Sequence, residues 1–369
     1  MAEQRLLAGL AGLALLATGC QRTAPQQWEP SEQVQSLPQE LSAAVTKAVM
    51  HHAGTVLEPR LVGIAPAKAE PEKMRQQQRL KHGQAVYMKR CYQCHGVAGD
   101  GRGPVADSLY PRPRDYTPGI FKFTSTPYGV KPLRGDLVTT LRRGIAGTSM
   151  PSFRLLPDAD IEAVVDYVIL LSRRGELQLL LAGEAESSEE LDEDVVAEYV
   201  DVVAGRWKDA GTLSTASLTP QPELTLERAQ QGRQAFLESG CAKCHGEDGR
   251  GHTKDNIGQD AWGFPTRAAD LTSGMLRGGQ EPMDIYRRIL NGINGTPMPG
   301  FRSVFEADPE RAWNLVSYVL EISGRRREDT RAGRSEIPAG LIKPYLAAPS
   351  AGDSETPAGA DSSTDSSAE

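Results

Sequence analysis

Two pentapeptides carry the same reactive side chains at the same spacing: CYQCH at Cys91 to His95 and CAKCH at Cys241 to His245. Three chemistries compete for two thiols and an imidazole set this close. A redox disulfide usually occupies a βαβ setting, and no run of β-alternation in this chain is long enough to build a sheet. A zinc ion wants four N or S ligands in a closed tetrahedron; each copy offers three, with no neighbouring fourth of that type. The third chemistry is covalent attachment of haem c. There both thiols add across the porphyrin vinyl groups and the adjacent histidine comes under the ring to bind iron. One turn of backbone must reach two vinyl edges and a central iron, and this spacing does so.

A second pair of motifs decides among the three. Each pentapeptide is followed by GT-x-MP, which places Met150 55 residues after His95 and Met298 53 residues after His245. A methionine between turn-forming Gly and Pro is poorly placed for a core and well placed to present its thioether to iron. Met88 falls on a helical pattern and reads as core, whereas Met74, Met275 and Met283 lack the flanking motif. His51, His52 and His82 read as surface residues. The expectation is two covalently bound haem c groups, attached at Cys91, Cys94, Cys241 and Cys244. The expected iron ligands are His95 with Met150 and His245 with Met298. Such ligation saturates the iron and raises its potential, since neutral imidazole and thioether favour the ferrous state. It fits a single-electron carrier and leaves no catalytic residue to name.

The elements that must position these groups repeat with them, at an offset of 150 residues between the cysteine motifs. HGQAVYMKRC parallels QGRQAFLESGC, GRGP at 101–104 parallels GRGH at 249–252, and DYTPG at 115–119 parallels DLTSG at 270–274. GIAGTSMPSF at 144–153 parallels GINGTPMPGF at 292–301, and each copy closes on an apolar helical pattern containing Tyr167 or Tyr318. Apolar spacing predicts, in each copy, a helix into the cysteine motif, a Gly/Pro-rich loop, a short helix, a turn and a closing amphipathic helix. The fold class is all-α, as two tandem domains at 75–175 and 223–327. Between them, 176–222 is an acidic connector. It reads either as a solvated linker or as a helix docked across the two domains, and the stripe Leu191, Val195, Val196, Tyr199, Val200 and Val203 favours docking.

Each half resembles a class I c-type cytochrome domain, and the whole resembles a bacterial di-haem cytochrome c. The resemblance covers about 75–175 and 224–325. It rests on G-x-x-x-[YF] ahead of the cysteines, the CxxCH motif, the glycine-rich loop, GT-x-MP and the closing helix with its tyrosine. It implies that first and last helices cross at Gly83/Tyr167 and at Gly232/Tyr318. It also implies that a loop proline, here Pro104, orients the proximal histidine through its carbonyl; the second copy has His252 at that place. Family members serve as free carriers or as subunits of oxidases, quinol-oxidising complexes and dehydrogenases. A di-haem peroxidase is the rival from another class, and it would need one haem with an open or switchable sixth position.

The remaining features bound the setting. The chain has 369 residues, a formal charge of −7 and five cysteines, which gives no reason to expect nucleic-acid binding and too few thiols for a disulfide scaffold. Cys20, the fifth, follows Arg5 and the apolar run LLAGLAGLALLA. That run is too short for a membrane span and has the form of a secretory signal at 1–19. The ending ATGC resembles a bacterial lipobox, so Cys20 is expected to be acylated and the protein held at the periplasmic side of a membrane, serving redox partners of a respiratory chain. An N-terminal extension at 20–74 is expected to wrap the first domain or to extend from the membrane. A tail at 328–369, rich in Ser, Ala, Asp and Gly, is expected to be largely disordered.

Overall fold

The computed structural model describes residues 28–63, 70–213, 217–254 and 258–323; the segment with Cys20 and the tail at 328–369 lie outside the described residues. In chain order the helices are α1 (Glu32–Ser36), α2 (Gln39–Ala53), α3 (Glu70–Arg90), α4 (Tyr92–His95), α5 (Arg134–Arg143), α6 (Asp158–Ser188) and α7 (Glu193–Asp209). They continue with α8 (Leu226–Glu238), α9 (Ala242–His245), α10 (Pro282–Asn291), α11 (Arg302–Phe305) and α12 (Pro309–Ile322). Among the described residues, strand is confined to two dipeptides, Gly258–Gln259 and Pro265–Thr266. The all-α expectation holds. No helix among the described residues is long and apolar enough to cross a membrane.

The chain forms two compact units. The first takes the described residues up to 213 together with Gln259–Phe264 and Asn291–Pro299; the second takes the rest. In the first unit α3 packs on α6, and in the second α8 packs on α12. Glycine makes both crossings close. A methyl group on Gly83 would overlap the Ala163 carbonyl and lie 3.1 Å from the Tyr167 Cβ. On Gly232 it would overlap the Asn314 carbonyl and lie 2.8 Å from the Tyr318 Cβ. Buried aromatic pairs fill the space beside each crossing, with Tyr87 and Tyr167 ring centroids 5.3 Å apart and Phe236 and Tyr318 also 5.3 Å apart. Local signals set the helix starts: Thr225 accepts from the Arg228 amide at 3.2 Å, and Pro309 opens α12, where its missing N–H costs nothing.

The first unit is larger than its sequence copy. Val34, Val45, Val49, Ala53, Val56 and Val62 from the N-terminal extension are buried in its core. Residue 175, read above as a domain boundary, lies inside α6. The run Ser172-Arg173-Arg174-Gly175-Glu176 looks like a polar helix end, yet all five residues are buried. Their partners come from distant segments. Ser172 donates to the Tyr116 carbonyl at 2.8 Å, and Arg173 donates to the Val62 carbonyl at 2.9 Å. The Arg174 guanidinium stands 4.8 Å from the centre of the Trp28 ring. Glu176 accepts from Trp207 Nε1 at 2.7 Å and pairs with Lys131 at 2.5 Å; burial nonetheless pushes its carboxyl above the usual range. Trp207 belongs to α7, the connector helix, which buries Val196, Val200 and Val203 in this same core.

Candidate functional site

The first site is built on α4, a single turn that follows α3 directly and carries Tyr92, Gln93, Cys94 and His95, with Cys91 at its N-cap. Gly96 ends the turn at φ +76°, a left-handed value that favours glycine. Its carbonyl accepts from the buried Tyr87 hydroxyl at 2.7 Å, and Tyr116 in turn donates to the Tyr87 oxygen at 2.7 Å. The second motif repeats the plan on α9, with Gly246 at φ +73°. Phe236 stands where Tyr87 does, so the hydroxyl relay is absent there.

The histidines are set by backbone carbonyls. His95 Nδ1 lies 3.1 Å from the Arg114 carbonyl, and His245 Nδ1 lies 3.0 Å from the Ala269 carbonyl. A carbonyl only accepts, so Nδ1 carries the proton and Nε2 keeps its lone pair. Burial lowers the pKa of both imidazoles, which keeps them neutral as ligands must be. This corrects the expectation for Pro104, which is exposed and is not the acceptor. It also removes the difficulty with His252, which is exposed as well.

The true acceptors sit one residue before a shared Asp-x-Thr. Asp115 Oδ1 accepts from the Thr117 amide and hydroxyl at 2.8 and 2.7 Å, and Asp270 Oδ1 accepts from those of Thr272 at 2.9 and 2.6 Å. Each turn is tied back by the amide of its middle residue, Tyr116 to the Gly99 carbonyl at 3.0 Å and Leu271 to the Gly249 carbonyl at 2.8 Å. The repeat of DYT and DLT was visible in the sequence. Its role was not, because a main-chain acceptor leaves no side-chain signature.

The thiols argue against a redox disulfide. Burial pushes Cys91 up to about 12 and Cys241 up to about 11. A disulfide oxidoreductase works through a thiolate and lowers these values instead. Among the described residues no group of three or more His, Cys, Asp or Glu is arranged to hold a metal ion by itself. Thioether attachment has no need of a thiolate ligand. The residues present fit a haem carried by covalent bonds from the cysteines and held by imidazole Nε2.

The methionine loops are near copies of one another. Thr148 Oγ1 donates to the Ile145 carbonyl at 2.8 Å and accepts from the Met150 amide at 3.1 Å; the Met150 carbonyl accepts from the Ile145 amide at 3.1 Å. Thr296 repeats this with Ile293 and Met298 at 2.7, 3.2 and 3.1 Å. Gly144, Gly147, Gly292 and Gly295 all have φ near +70° at 71°, 70°, 70° and 68°. The threonine hydroxyl therefore locks a turn that the methionine backbone closes. Both methionines are half-buried, whereas Met74 and Met275 are exposed and Met88 packs on the first core. Met150 shares the first unit with Cys91, Cys94 and His95. Of the second set, Met298 is grouped with the first unit, and Cys241, Cys244 and His245 with the second.

Comparison with known proteins gives the family of both halves. Residues 78–168 match the family described as cytochrome C oxidase, cbb3-type, subunit III, and residues 229–323 match cytochrome c. The chain belongs to the c-type cytochromes, as a tandem of two class I domains that carries two covalently bound haem c groups and transfers electrons through them. Over 208 residues, 51 % of this chain, it is 26 % identical to the fructose dehydrogenase cytochrome subunit of Gluconobacter japonicus; the match spans 36 % of that relative's length. A chain of the Kuenenia stuttgartiensis reducing HAO-like protein complex is similar in fold, with a TM-score of 0.51 at 29 % identity. The likeness covers 66 % of this chain and 96 % of that one.

Proposed function

We propose that this is a lipid-anchored di-haem cytochrome on the periplasmic side of a bacterial membrane, passing single electrons between respiratory partners. His95 and Met150 ligate the iron of the first haem, and His245 and Met298 that of the second. The observation that carries this reading is the paired construction of the site. Two histidines present a free Nε2, and two methionines are held in Thr-locked turns. The haem supplies a one-electron couple. The chain holds each imidazole by a backbone carbonyl and keeps it protonated at Nδ1. A saturated iron with fixed ligands reorganises little on electron transfer. Such a centre also offers no vacant position to a peroxide.

A second reading, that the chain works as the cytochrome subunit of a larger dehydrogenase-type complex, is supported by its similarity to the fructose dehydrogenase cytochrome subunit and to a chain of the reducing HAO-like protein complex. Purification from native membranes separates the two. A stoichiometric catalytic partner that survives gentle detergent extraction marks a subunit, and haem protein recovered alone marks a carrier.

The anchor has its own test. A bacterial lipoprotein cysteine carries at least two acyl chains, enough for stable attachment. Cys20→Ser is expected to move haem-loaded protein from the membrane pellet to the soluble periplasmic fraction. Wild-type protein already soluble there would remove the anchor from the account.

A further inference from the structure

The carbonyl that holds His95 is itself held by a segment far away in sequence. Arg114 supplies that carbonyl. Its guanidinium stacks on Trp262 at 3.7 Å from the ring centre and reaches Asp260 at 3.5 Å. The next carbonyl, that of Asp115, accepts from Trp262 Nε1 at 2.7 Å. Lys122 approaches the same Asp260 carboxylate at 3.3 Å and lies 5.4 Å from the same ring. Asp260 and Trp262 belong to the first compact unit, as do His95, Arg114 and Asp115.

The segment is shaped for this contact. Asp260 Oδ1 accepts from the amides of Trp262 and Phe264, both at 3.1 Å, closing a tight turn. The turn leaves Oδ2 facing the two cations. At the equivalent place the second copy has Ala269, whose methyl group offers neither charge nor stacking surface. Each proximal histidine thus has its own carbonyl acceptor, and His95 alone of the two has an acceptor residue with a charged, stacked side chain.

We infer that Trp262 and Asp260 are positioning residues for the first haem: they fix the Arg114–Asp115 backbone and so set the strength of the His95 hydrogen bond and the potential of that haem. The inference rests on the reading that His95 ligates iron. A firm Nδ1–H···O=C bond makes the imidazole more basic and favours ferric iron, as outer-shell partners of metal-bound histidines do. Loosening the backbone weakens that bond and favours the ferrous state. Asp260 adds a charge effect of the same sign, because its carboxylate offsets the positive charge of Arg114 beside the histidine.

The test is a spectroelectrochemical titration of the intact di-haem protein, resolved into two one-electron components. The component that moves in Met150→Ala belongs to the first haem. Trp262→Phe keeps an aromatic face under Arg114 and removes only the donor. At any fixed applied potential the ratio of reduced to oxidised first haem is expected to be about threefold that in wild type. At about 59 mV per decade for one electron this is an upward shift of about 28 mV, with the second component unmoved. Asp260→Asn is expected to shift the same component upward, and less at high salt. If Trp262→Phe does not accumulate, Asp260→Asn carries the same readout. A first component that stays in place in the folded variants overturns the inference while leaving His95 as ligand. A wild-type spectrum without a low-spin histidine-ligated first haem overturns the ligation reading itself.

Discussion

Replacing Met150 by alanine is expected to open the first iron while leaving the second untouched. The loop that carries Met150 is fixed by Thr148 and by two glycines at positive φ, so no neighbouring residue is poised to move in as a substitute. Met88, the nearest methionine in sequence on the N-terminal side, is committed to the core. The weak near-infrared band of oxidised thioether-ligated haem should fall by half. The reduced variant should bind carbon monoxide at one iron, and the potential of that haem should drop, because water or hydroxide stabilises ferrous iron less than a thioether does. Met298→Ala should do the same for the other haem. A variant with a full near-infrared band and no carbon monoxide uptake would assign the sixth ligand elsewhere.

The second large effect concerns the helix crossing that frames the first site. Gly83→Val forces a branched side chain against the Ala163 carbonyl, where even a methyl group overlaps. The backbone of α6 cannot yield without dragging Tyr167 off Tyr87, whose hydroxyl holds the Gly96 carbonyl at the end of the haem motif. Overpacking of this kind costs about 3 kcal/mol. For a unit of this size that is a fall of about 6 to 12 °C in melting temperature. Calorimetry of the holoprotein should show one transition shifted and the other in place. Gly183, also on α6, has nothing within 4 Å of an added methyl. Gly183→Ala should therefore leave the melting temperature unchanged or raise it slightly. Equal losses from both substitutions would mean that the close crossing at Gly83 is not the source of the loss.

Much of this was legible in the residues. Cysteine spacing, the GT-x-MP motifs and the apolar pattern of the closing helices pointed to two haem-bearing helical domains. The resemblance to class I cytochrome domains implied the glycine and tyrosine at each crossing, and both glycines lie in close approach. What stayed hidden was main-chain or long-range in origin. Arg114 and Ala269 act through carbonyl oxygens, which every residue possesses, so only the flanking Asp-x-Thr hinted at them. The continuation of α6 past Gly175 was masked by Arg173, Arg174 and Glu176, which read as surface. They are buried because Val62, Trp28, Lys131 and Trp207 meet them from segments no local pattern connects. The N-terminal extension is polar and proline-dotted, which hid the face of α2 that enters the core through Val45 and Val49.

The central claim is that both irons are saturated by histidine and methionine, which makes the chain a carrier of electrons. Carbon monoxide titration of the fully reduced wild-type holoprotein tests it most directly. No spectral change is expected at either haem until the protein unfolds. Stoichiometric uptake by either haem in the folded protein would contradict it and place an open, enzyme-like iron in the molecule.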